Sequence, residues 1–192
     1  MYSDTRKLII FSAPSGSGKT TIVRHLLNDT DLPLAFSISA TTRKPRPGEV
    51  DGKDYYFLSV EAFKERIAKD AFVEWEEVYE GVFYGTLKTE IKRIWNAHKA
   101  VVFDIDVEGG ISIKQFFKEK ALTVFVQPPS IEDLRNRLES RNTESHEQLE
   151  VRVNKASQEL QKSTEFDTIL INDQLEKALH EAEQIVAQFL SS

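Results

Sequence analysis

The feature that most constrains the fold is a loop rich in glycine and serine, APSGSGKT, at residues 13–20. An apolar run at Lys7–Phe11 precedes it and predicts a short buried strand, and a helical pattern over Thr20–Leu27 follows it. The loop matches the pattern G-x-x-x-x-G-K-[ST] except at its first position, where Ala13 stands. A strand, this loop and a helix in that order predict a nucleoside triphosphate site in an α/β protein.

The residue types in this loop suit phosphate binding for physical reasons. Gly16 and Gly18 let the backbone turn so that several N–H groups point inward at phosphate oxygens. The N-terminus of the following helix adds partial positive charge. Lys19 can reach the β- and γ-phosphates, and the Thr20 hydroxyl can ligate Mg²⁺. The alternative, a glycine-rich turn with a chance lysine, does not account for the strand before it and the helix after it.

Three more apolar segments predict buried strands, and helical patterns separate them. They are Val101–Ile105, Leu122–Val126 and Thr168–Ile171. Ser130, with Asp133 three residues later, marks the start of one of the helices. Strands that alternate with helices predict an α/β fold of the P-loop NTP hydrolase type, a parallel sheet with helices on both faces.

Two segments interrupt this alternation and predict insertions into one core. Residues 37–86 hold turn signals and the strand-like runs Tyr55–Leu58 and Phe72–Tyr79, and we interpret them as a substrate-binding subdomain. Residues 138–151 are charged and polar within a helical context, and we interpret them as a lid. We therefore expect a single domain over residues 5–188, with core segments 5–36, 87–137 and 152–190.

Composition excludes several classes of function. The 192 residues are 40% hydrophobic, which suits one compact core, and a formal net charge of −6 leaves no global basic footprint for nucleic acid. Without cysteine, disulfides and thiolate metal sites are excluded. No apolar run approaches the ~18 residues that cross a membrane, and the first residues lack the features of a signal peptide. We expect a cytoplasmic protein with neither a nucleic-acid nor a membrane partner.

A second anion site is predicted within residues 39–57, which contain SATTRKPRPGE (39–49) and DGKDYYF (51–57). Pro45 and Pro47 stiffen the backbone and so hold Arg43 and Arg46 at a fixed spacing, and guanidinium groups match phosphate geometry. Tyr55 adds a hydroxyl on a rigid ring. The alternative is a basic, solvated loop. A phosphotransferase needs a second phosphate held in line with the first, and this favours the anion site.

Glu74 is a candidate for reading a nucleotide base. A carboxylate pairs naturally with guanine, whose N1–H and N2–H₂ are adjacent donors, whereas adenine would leave a buried carboxylate unpaired. The hydroxyls of Ser39 and Thr86 can serve the O6 side of the base. Spacing alone favours the alternative, that Glu74 is a strand residue facing solvent.

Asp104 and Asp106 stand at the C-terminal end of a predicted buried strand, where ligands bind in open α/β sheets. One of them can support Mg²⁺ in the manner of a Walker B aspartate, or contact an acceptor nucleotide. The alternative is that an aspartate caps the helix that begins near Glu108.

Four arginines lie in and around the second insertion: Arg135, Arg137, Arg141 and Arg152. Arg137 and Arg141 are four residues apart, so they project from one helix face. Arginines that close over a transferring phosphoryl group stabilise the charge on its oxygens. Glutamates are interleaved with them, and on spacing alone an exposed, charged helix is the better interpretation.

Together these motifs resemble the guanylate kinase family over about residues 7–190. The most specific segments are residues 39–49, 51–57, 84–86 (YGT), 104–106 (DID) and 171–173 (IND). The resemblance implies transfer of the γ-phosphoryl group of ATP to GMP, giving ADP and GDP in purine nucleotide recycling. It implies Mg²⁺ as the cofactor of ATP, and it leaves dGMP open as a further acceptor.

The resemblance also implies a role for particular residues. It implies an ATP site of Ala13, Pro14, Ser15, Gly16, Ser17, Gly18, Lys19, Thr20, Thr21 and Asn172, in which Thr20 is the metal ligand. It implies a GMP site of Ser39, Arg43, Arg46, Tyr55, Glu74, Tyr84, Thr86, Asp104 and Asp106. The implied catalytic residues are Lys19, Arg43, Arg137, Arg141 and Arg152. The lid and the GMP-binding subdomain would close over both nucleotides and exclude water.

The chain departs from the family pattern at three positions: Ala13, Glu108 where glutamine is common, and Asn142 where glycine is common. Two other functions stay open. A non-catalytic scaffold domain of this fold would bind phosphopeptides, but Lys19 and Thr20 are present here. A related kinase would use another acceptor, and the base preference argued for Glu74 speaks against it. The sequence alone leaves the oligomeric state open.

Overall fold

The computed structural model describes residues 6–140 and 146–192. Its strands are β1 (Leu8–Ser12), β2 (Leu34–Phe36), β3 (Ala40–Thr41), β4 (Tyr56–Phe57), β5 (Phe72–Tyr79), β6 (Val82–Leu87), β7 (Ala100–Asp104), β8 (Ala121–Gln127) and β9 (Thr168–Ile171). Its helices are α1 (Lys19–Asn28), α2 (Val60–Ala68), α3 (Lys88–Asn96), α4 (Val107–Phe117), α5 (Ile131–Glu139), α6 (His146–Gln161) and α7 (Leu175–Ser191).

The central sheet has the strand order β2-β7-β1-β8-β9, and its strands are parallel. Strand β1 is buried along its whole length because helices cover both faces. Ile9 and Phe11 pack in one hydrophobic cluster with residues of α1 and α7, and Leu8 and Ile10 pack in another with residues of α3 and α4. The predicted α/β fold is confirmed.

A second sheet, with the order β4-β3-β6-β5, lies beside the central one and has its own small core. The ring of Phe63, on α2, stacks between those of Phe72 and Phe83, with centroids 4.3 and 5.3 Å away. These elements occupy nearly the same stretch of chain as the insertion predicted at residues 37–86.

Helices α5 and α6 pack against each other, and α5 lies against the phosphate loop. Leu134 and Leu138 of α5 meet Leu149 and Val153 of α6 in a separate hydrophobic cluster. Ser130 caps α5 as the sequence predicts, because its hydroxyl accepts a hydrogen bond from the N–H of Asp133 at 3.0 Å. The predicted lid, residues 138–151, covers the end of α5 and the start of α6, and its residues 141–145 lie outside the described residues.

The boundaries of several elements differ from the sequence-based ones by one residue. Strand β7 starts at Ala100 and ends at Asp104, so Ile105 lies beyond it, and the short strand β4 holds Tyr56 and Phe57 without their predicted neighbours. The sequence did not predict strand β2, because its three residues are too few to show the alternation of apolar and polar residues that is typical of a strand. Across residues 6–140 and 146–192, no helix is both long and apolar enough to span a bilayer.

Candidate active site

The glycine-rich loop joins β1 to α1 with the backbone geometry that phosphate binding requires. Gly16 and Gly18 have φ angles of 94° and 89°, in the left-handed region that favours glycine. Gly18 is the N-cap of α1 and offers no side-chain cap. The positive end of the helix dipole faces the loop because the helix begins there. A Cβ atom at Gly16 would lie 2.9 Å from the Leu138 side chain, which shows how closely α5 packs on this loop.

Lys19, Thr20 and Asp104 meet where β1 and β7 end. The Nζ atom of Lys19 lies 2.6 Å from Asp104 Oδ1 and donates to the carbonyl of Ile105 at 2.7 Å. The Thr20 hydroxyl donates to Asp104 Oδ2 at 2.8 Å. The sequence left the roles of the two aspartates open. In the structure Asp104 is the one that contacts Lys19 and Thr20 of the phosphate loop, and its role in supporting Mg²⁺ stays a prediction.

The oxygens of Thr20 and Asp104 are the hard ligands that Mg²⁺ prefers. Among the residues that the structure describes, no group of three or more His, Cys, Asp or Glu side chains is arranged to hold a metal ion. This donor set fits a metal that takes one or two protein ligands and completes its shell with phosphate and water.

Asp106 is the N-cap of α4, so the capping alternative is confirmed for this residue. Its side chain accepts a hydrogen bond from the N–H of Gly109 at 2.7 Å, and its carbonyl accepts one from the Ser12 hydroxyl at 2.9 Å. Its contact with GMP stays a prediction.

Two cavities open on either side of this strand end. We call the first, of about 380 Å³, the phosphate-loop cavity; it is lined by residues 13–21, Asp104, Ile105, Asp106, Lys155 and Glu159. We call the second, of about 360 Å³, the hairpin cavity, because β5 and β6 form much of its wall; its lining includes Ser39, Tyr55, Glu74, Tyr84, Asp104 and Asp106. The cavities share residues 104–106, so groups bound in them would meet there.

Arg43 is held in place beside the hairpin cavity. Its two terminal nitrogens each donate to a carboxylate oxygen of Glu49 at 2.9 Å, and its guanidinium lies 5.2 Å from the Tyr55 ring centre. The side-chain hydrogen bond from Arg43 keeps the pKa of Glu49 below its usual range. Glu49 also accepts from the N–H of Arg46 at 2.7 Å. The loop that carries both arginines is therefore braced by one carboxylate.

Glu74 and Thr86 face each other across the β5–β6 pair. Burial raises the pKa of Glu74 to about 7, and the nearby Asp106 carboxylate adds to the rise, while the Thr86 side chain opposes it. The Thr86 hydroxyl is buried near this carboxyl, but it makes no hydrogen bond of acceptable distance and angle with it or with any other described group. Glu74 is half-buried and lines the hairpin cavity, so it does not face open solvent as the alternative holds.

Comparison with known proteins identifies the family. The family model described as "Guanylate kinase" matches residues 5–189. The chain belongs to the guanylate kinase family. A protein called guanylate kinase from Porphyromonas gingivalis is 49% identical over 185 residues, which cover 96% of this chain and 98% of that one. Another from Bacteroides thetaiotaomicron is 50% identical over 187 residues, 97% of this chain and 91% of that one.

A solved structure supports the same family at the level of the fold. The crystal structure of guanylate kinase from Anaplasma phagocytophilum has a TM-score of 0.77 and 25% identity, and the match covers all of this chain and 89% of that one.

In this guanylate kinase family member, one predicted lid arginine contacts the phosphate loop directly and another contacts Asn172, which itself binds that loop. Arg137 donates to the carbonyl of Asn172 at 2.8 Å, and Arg152 donates to the Ser15 hydroxyl. Arg135 instead pairs with Glu150 across α5 and α6, which fits the charged-helix alternative for that residue. Arg141 lies outside the described residues.

Two residues that line the phosphate-loop cavity of this guanylate kinase family member were not predicted from the sequence. Lys155 and Glu159 line the phosphate-loop cavity, and Lys155 Nζ lies 3.7 Å from Glu159 Oε1. Burial raises the pKa of Glu159. Lys155 and Glu159 follow Arg152 by three and seven residues, so all three lie on one face of α6. This helical spacing is the feature of the sequence that could have indicated them.

Asn172 is 5% exposed and contacts the phosphate loop through its side chain. Its Nδ2 donates to the carbonyl of Ser17 at 2.7 Å. Asn172→Ala leaves that carbonyl without its partner, and a lost buried hydrogen bond costs about 1–3 kcal/mol. We expect the KM for ATP to rise about tenfold and the KM for GMP to stay within about twofold.

Steady-state kinetics with each substrate varied in turn tests this expectation. Asn28→Ala is the matched control, because Asn28 is exposed at the far end of α1. Equal rises in both KM values for Asn172→Ala would contradict a specific role beneath the phosphate loop.

Proposed function

We propose that this chain transfers the γ-phosphoryl group of ATP to GMP and releases ADP and GDP. The observation that carries the proposal is the meeting of two cavities at residues 104–106. One is formed by the phosphate loop, and the other is lined by a half-buried carboxyl, that of Glu74. Two phosphates held in line across that strand end satisfy the first requirement of phosphoryl transfer, since positioning supplies much of the rate.

In the phosphate-loop cavity, the loop N–H groups and the start of α1 bind the triphosphate of ATP. Lys19 shifts its charge from Asp104 toward the β- and γ-phosphates as they arrive. Thr20 and Asp104 would hold Mg²⁺, which would supply positive charge against the negative charge that builds on the phosphate oxygens. Asn172 supports the loop through its hydrogen bond to the carbonyl of Ser17. The proposal also places Asn172 near the adenine of ATP, as the family resemblance implies.

At the hairpin cavity, Tyr55 and Tyr84 of its lining bind the phosphate of GMP together with Arg43, which lies against the Tyr55 ring, and Arg46 of the same loop. The Arg43 guanidinium exchanges part of its pairing with Glu49 for phosphate oxygens and stays charged throughout. The lid arginines Arg137, Arg141 and Arg152 approach the transferring group when the lid closes, where their charge stabilises the equatorial oxygens. Closure also excludes water, which would otherwise hydrolyse ATP.

The base of GMP lies against Glu74, with Ser39 and Thr86 on its O6 side. Guanine N1–H and N2–H₂ donate to the Glu74 carboxylate, and these bonds offset the cost of its burial. The buried Thr86 hydroxyl gains a partner at the same time. Guanine therefore satisfies groups that adenine would leave unpaired.

A coupled assay with ATP and a panel of GMP, dGMP, AMP, CMP and UMP tests the proposed function. We expect turnover with GMP and little with AMP, CMP or UMP, because each of those bases presents a different donor and acceptor edge to Glu74. Phosphopeptide binding without turnover would support the scaffold alternative, and a preference for another acceptor would support a related kinase.

The affinity for GMP is expected to fall as the pH drops below the pKa of Glu74, about 7. Binding requires the ionised carboxylate, so below this pH each bound GMP must displace a proton, and the affinity falls about tenfold per pH unit. Conversely, the free protein loses stability as the pH rises from the ordinary Glu value, 4.5, toward 7, because the buried carboxyl must ionise.

Calorimetric titration of GMP from about pH 5.5 to pH 8 measures this dependence. The phosphate of GMP itself titrates near pH 6, and Glu74→Gln serves as the control because it retains that titration and lacks the carboxyl. Identical pH profiles for the wild type and Glu74→Gln would contradict the role of Glu74.

A further inference from the structure

We propose that Glu90 is a positioning residue for the acceptor nucleotide, because its buried carboxylate ties the chain segments that carry Ser39 and Tyr55 to helix α3. The proposal rests on the proposed function, since Ser39 and Tyr55 belong to the suggested GMP site. Glu90 itself does not line the hairpin cavity.

Glu90 lies in the first turn of α3, and its side chain is 1% exposed. Its Oε1 accepts hydrogen bonds from the N–H of Ile38 at 3.0 Å and from Arg93 Nη2 at 2.8 Å. Its Oε2 accepts from the Tyr56 hydroxyl at 2.9 Å and from Arg93 Nε at 2.8 Å. One carboxylate therefore holds four donors from three parts of the chain.

Such a group is costly to bury unless every oxygen is paired. Burial acts to raise the pKa of Glu90, but hydrogen bonds from Arg93, the N–H of Ile38 and the Tyr56 hydroxyl outweigh it and hold the pKa below its usual range. The carboxylate is charged when it binds Ile38 and Tyr56, and charge-assisted hydrogen bonds are stronger and more directional than neutral ones.

The two donors outside α3 are the immediate neighbours of predicted GMP-binding residues. Ile38 precedes Ser39, and Tyr56 follows Tyr55. The two segments also bind each other, because the N–H of Tyr56 donates to the carbonyl of Ser39 at 2.9 Å. Successive strand residues point to opposite faces, so Tyr56 reaches toward Glu90 while Tyr55 lines the hairpin cavity.

Helix α3 and Tyr56 belong to different packing units. Ile91 and Ile94 of α3 pack in a hydrophobic cluster of the central sheet, while Tyr56 packs against the core of the second sheet. Glu90 therefore joins the body that carries the phosphate loop to the subdomain that carries the hairpin cavity. A shift of about 1 Å between these two packing units would misplace the acceptor nucleotide relative to the donor phosphate.

Glu90→Gln and Tyr56→Phe test the proposal in the full chain. Glutamine keeps the shape but replaces one acceptor with a donor, and phenylalanine removes one hydroxyl. We expect the KM for GMP to rise about tenfold in Glu90→Gln and severalfold in Tyr56→Phe, with the KM for ATP within about twofold of wild type. The double variant should resemble Glu90→Gln alone, because both changes break the same contact.

Asp70→Asn is the matched control. Asp70 pairs with Lys88, the first residue of the same helix, at 2.6 Å, but on the protein surface. Its φ angle of 51° is one that asparagine also adopts readily. We expect both KM values of this variant to equal those of the wild type.

A lower melting temperature with an unchanged KM for GMP would overturn the proposal, because Glu90 would then only stabilise the fold. Equal rises in both KM values would overturn it too. If Glu90→Gln fails to fold, Tyr56→Phe decides alone, since it keeps the Glu90 bonds to Arg93 and Ile38. Failure of the proposed function is distinct: the wild type itself would then not turn over GMP.

Discussion

Replacing Lys19 with methionine is expected to lower kcat by at least about a thousandfold while leaving the fold intact. Methionine keeps much of the length of the side chain but removes the charge that the β- and γ-phosphates require. In the structure this charge is already at the strand end, 2.6 Å from Asp104. The loss should fall on kcat more than on the KM for ATP, because the charge on the phosphates grows in the transition state.

Single-turnover and steady-state kinetics of Lys19→Met measure this loss, and circular dichroism checks the fold. Arg24→Met is the matched control, because Arg24 is an exposed cation on the same helix. A near-normal kcat for Lys19→Met would show that the loop does not bind the transferring phosphate.

The phosphate loop and the central sheet could be predicted because their signals are local. The glycine spacing of residues 13–20 and the apolar run before it depend on neighbours in the chain, and both appear where expected. Local signals could not show which of the two aspartates, Asp104 or Asp106, contacts the phosphate loop. The exact end of β7 decides that Asp104 contacts Lys19 and Thr20, while Asp106 caps α4.

Glu90 and Asn172 show why other contacts around the candidate site could not be predicted from the sequence. The partners of Glu90 on the second sheet, Ile38 and Tyr56, are 52 and 34 residues away in the chain. Asn172 binds Ser17 across 155 residues. No periodicity or spacing rule joins such positions, and a buried glutamate within an amphipathic helix looks like a surface residue until its partners are placed.

Glu74→Gln is expected to lower kcat/KM for GMP by about two to four orders of magnitude. Glutamine keeps the size of the side chain but removes its charge and turns one acceptor into a donor, which would face another donor on guanine. Charge-assisted hydrogen bonds contribute about 1.5–3 kcal/mol each, and the clash of donors adds to their loss. AMP suffers no such loss, because its N1 is an acceptor and its 6-amino group a donor.

The affinity for ATP should barely change in this variant, because Glu74 lines the hairpin cavity and not the phosphate-loop cavity. Thr86→Val is a useful companion, since it removes the buried hydroxyl on the O6 side and keeps the shape of the side chain. Its effect on GMP should be smaller, about tenfold, because it removes one neutral hydrogen bond.

The measurement that tests the account most directly is the ratio of kcat/KM for GMP to that for AMP, in the wild type and in Glu74→Gln. The assay is best run near pH 8, about one unit above the pKa of Glu74, so that the carboxyl is ionised. We expect the ratio to collapse in the variant, even if AMP remains a poor substrate in absolute terms. An unchanged ratio would contradict this expectation, because Glu74 would then not read the base.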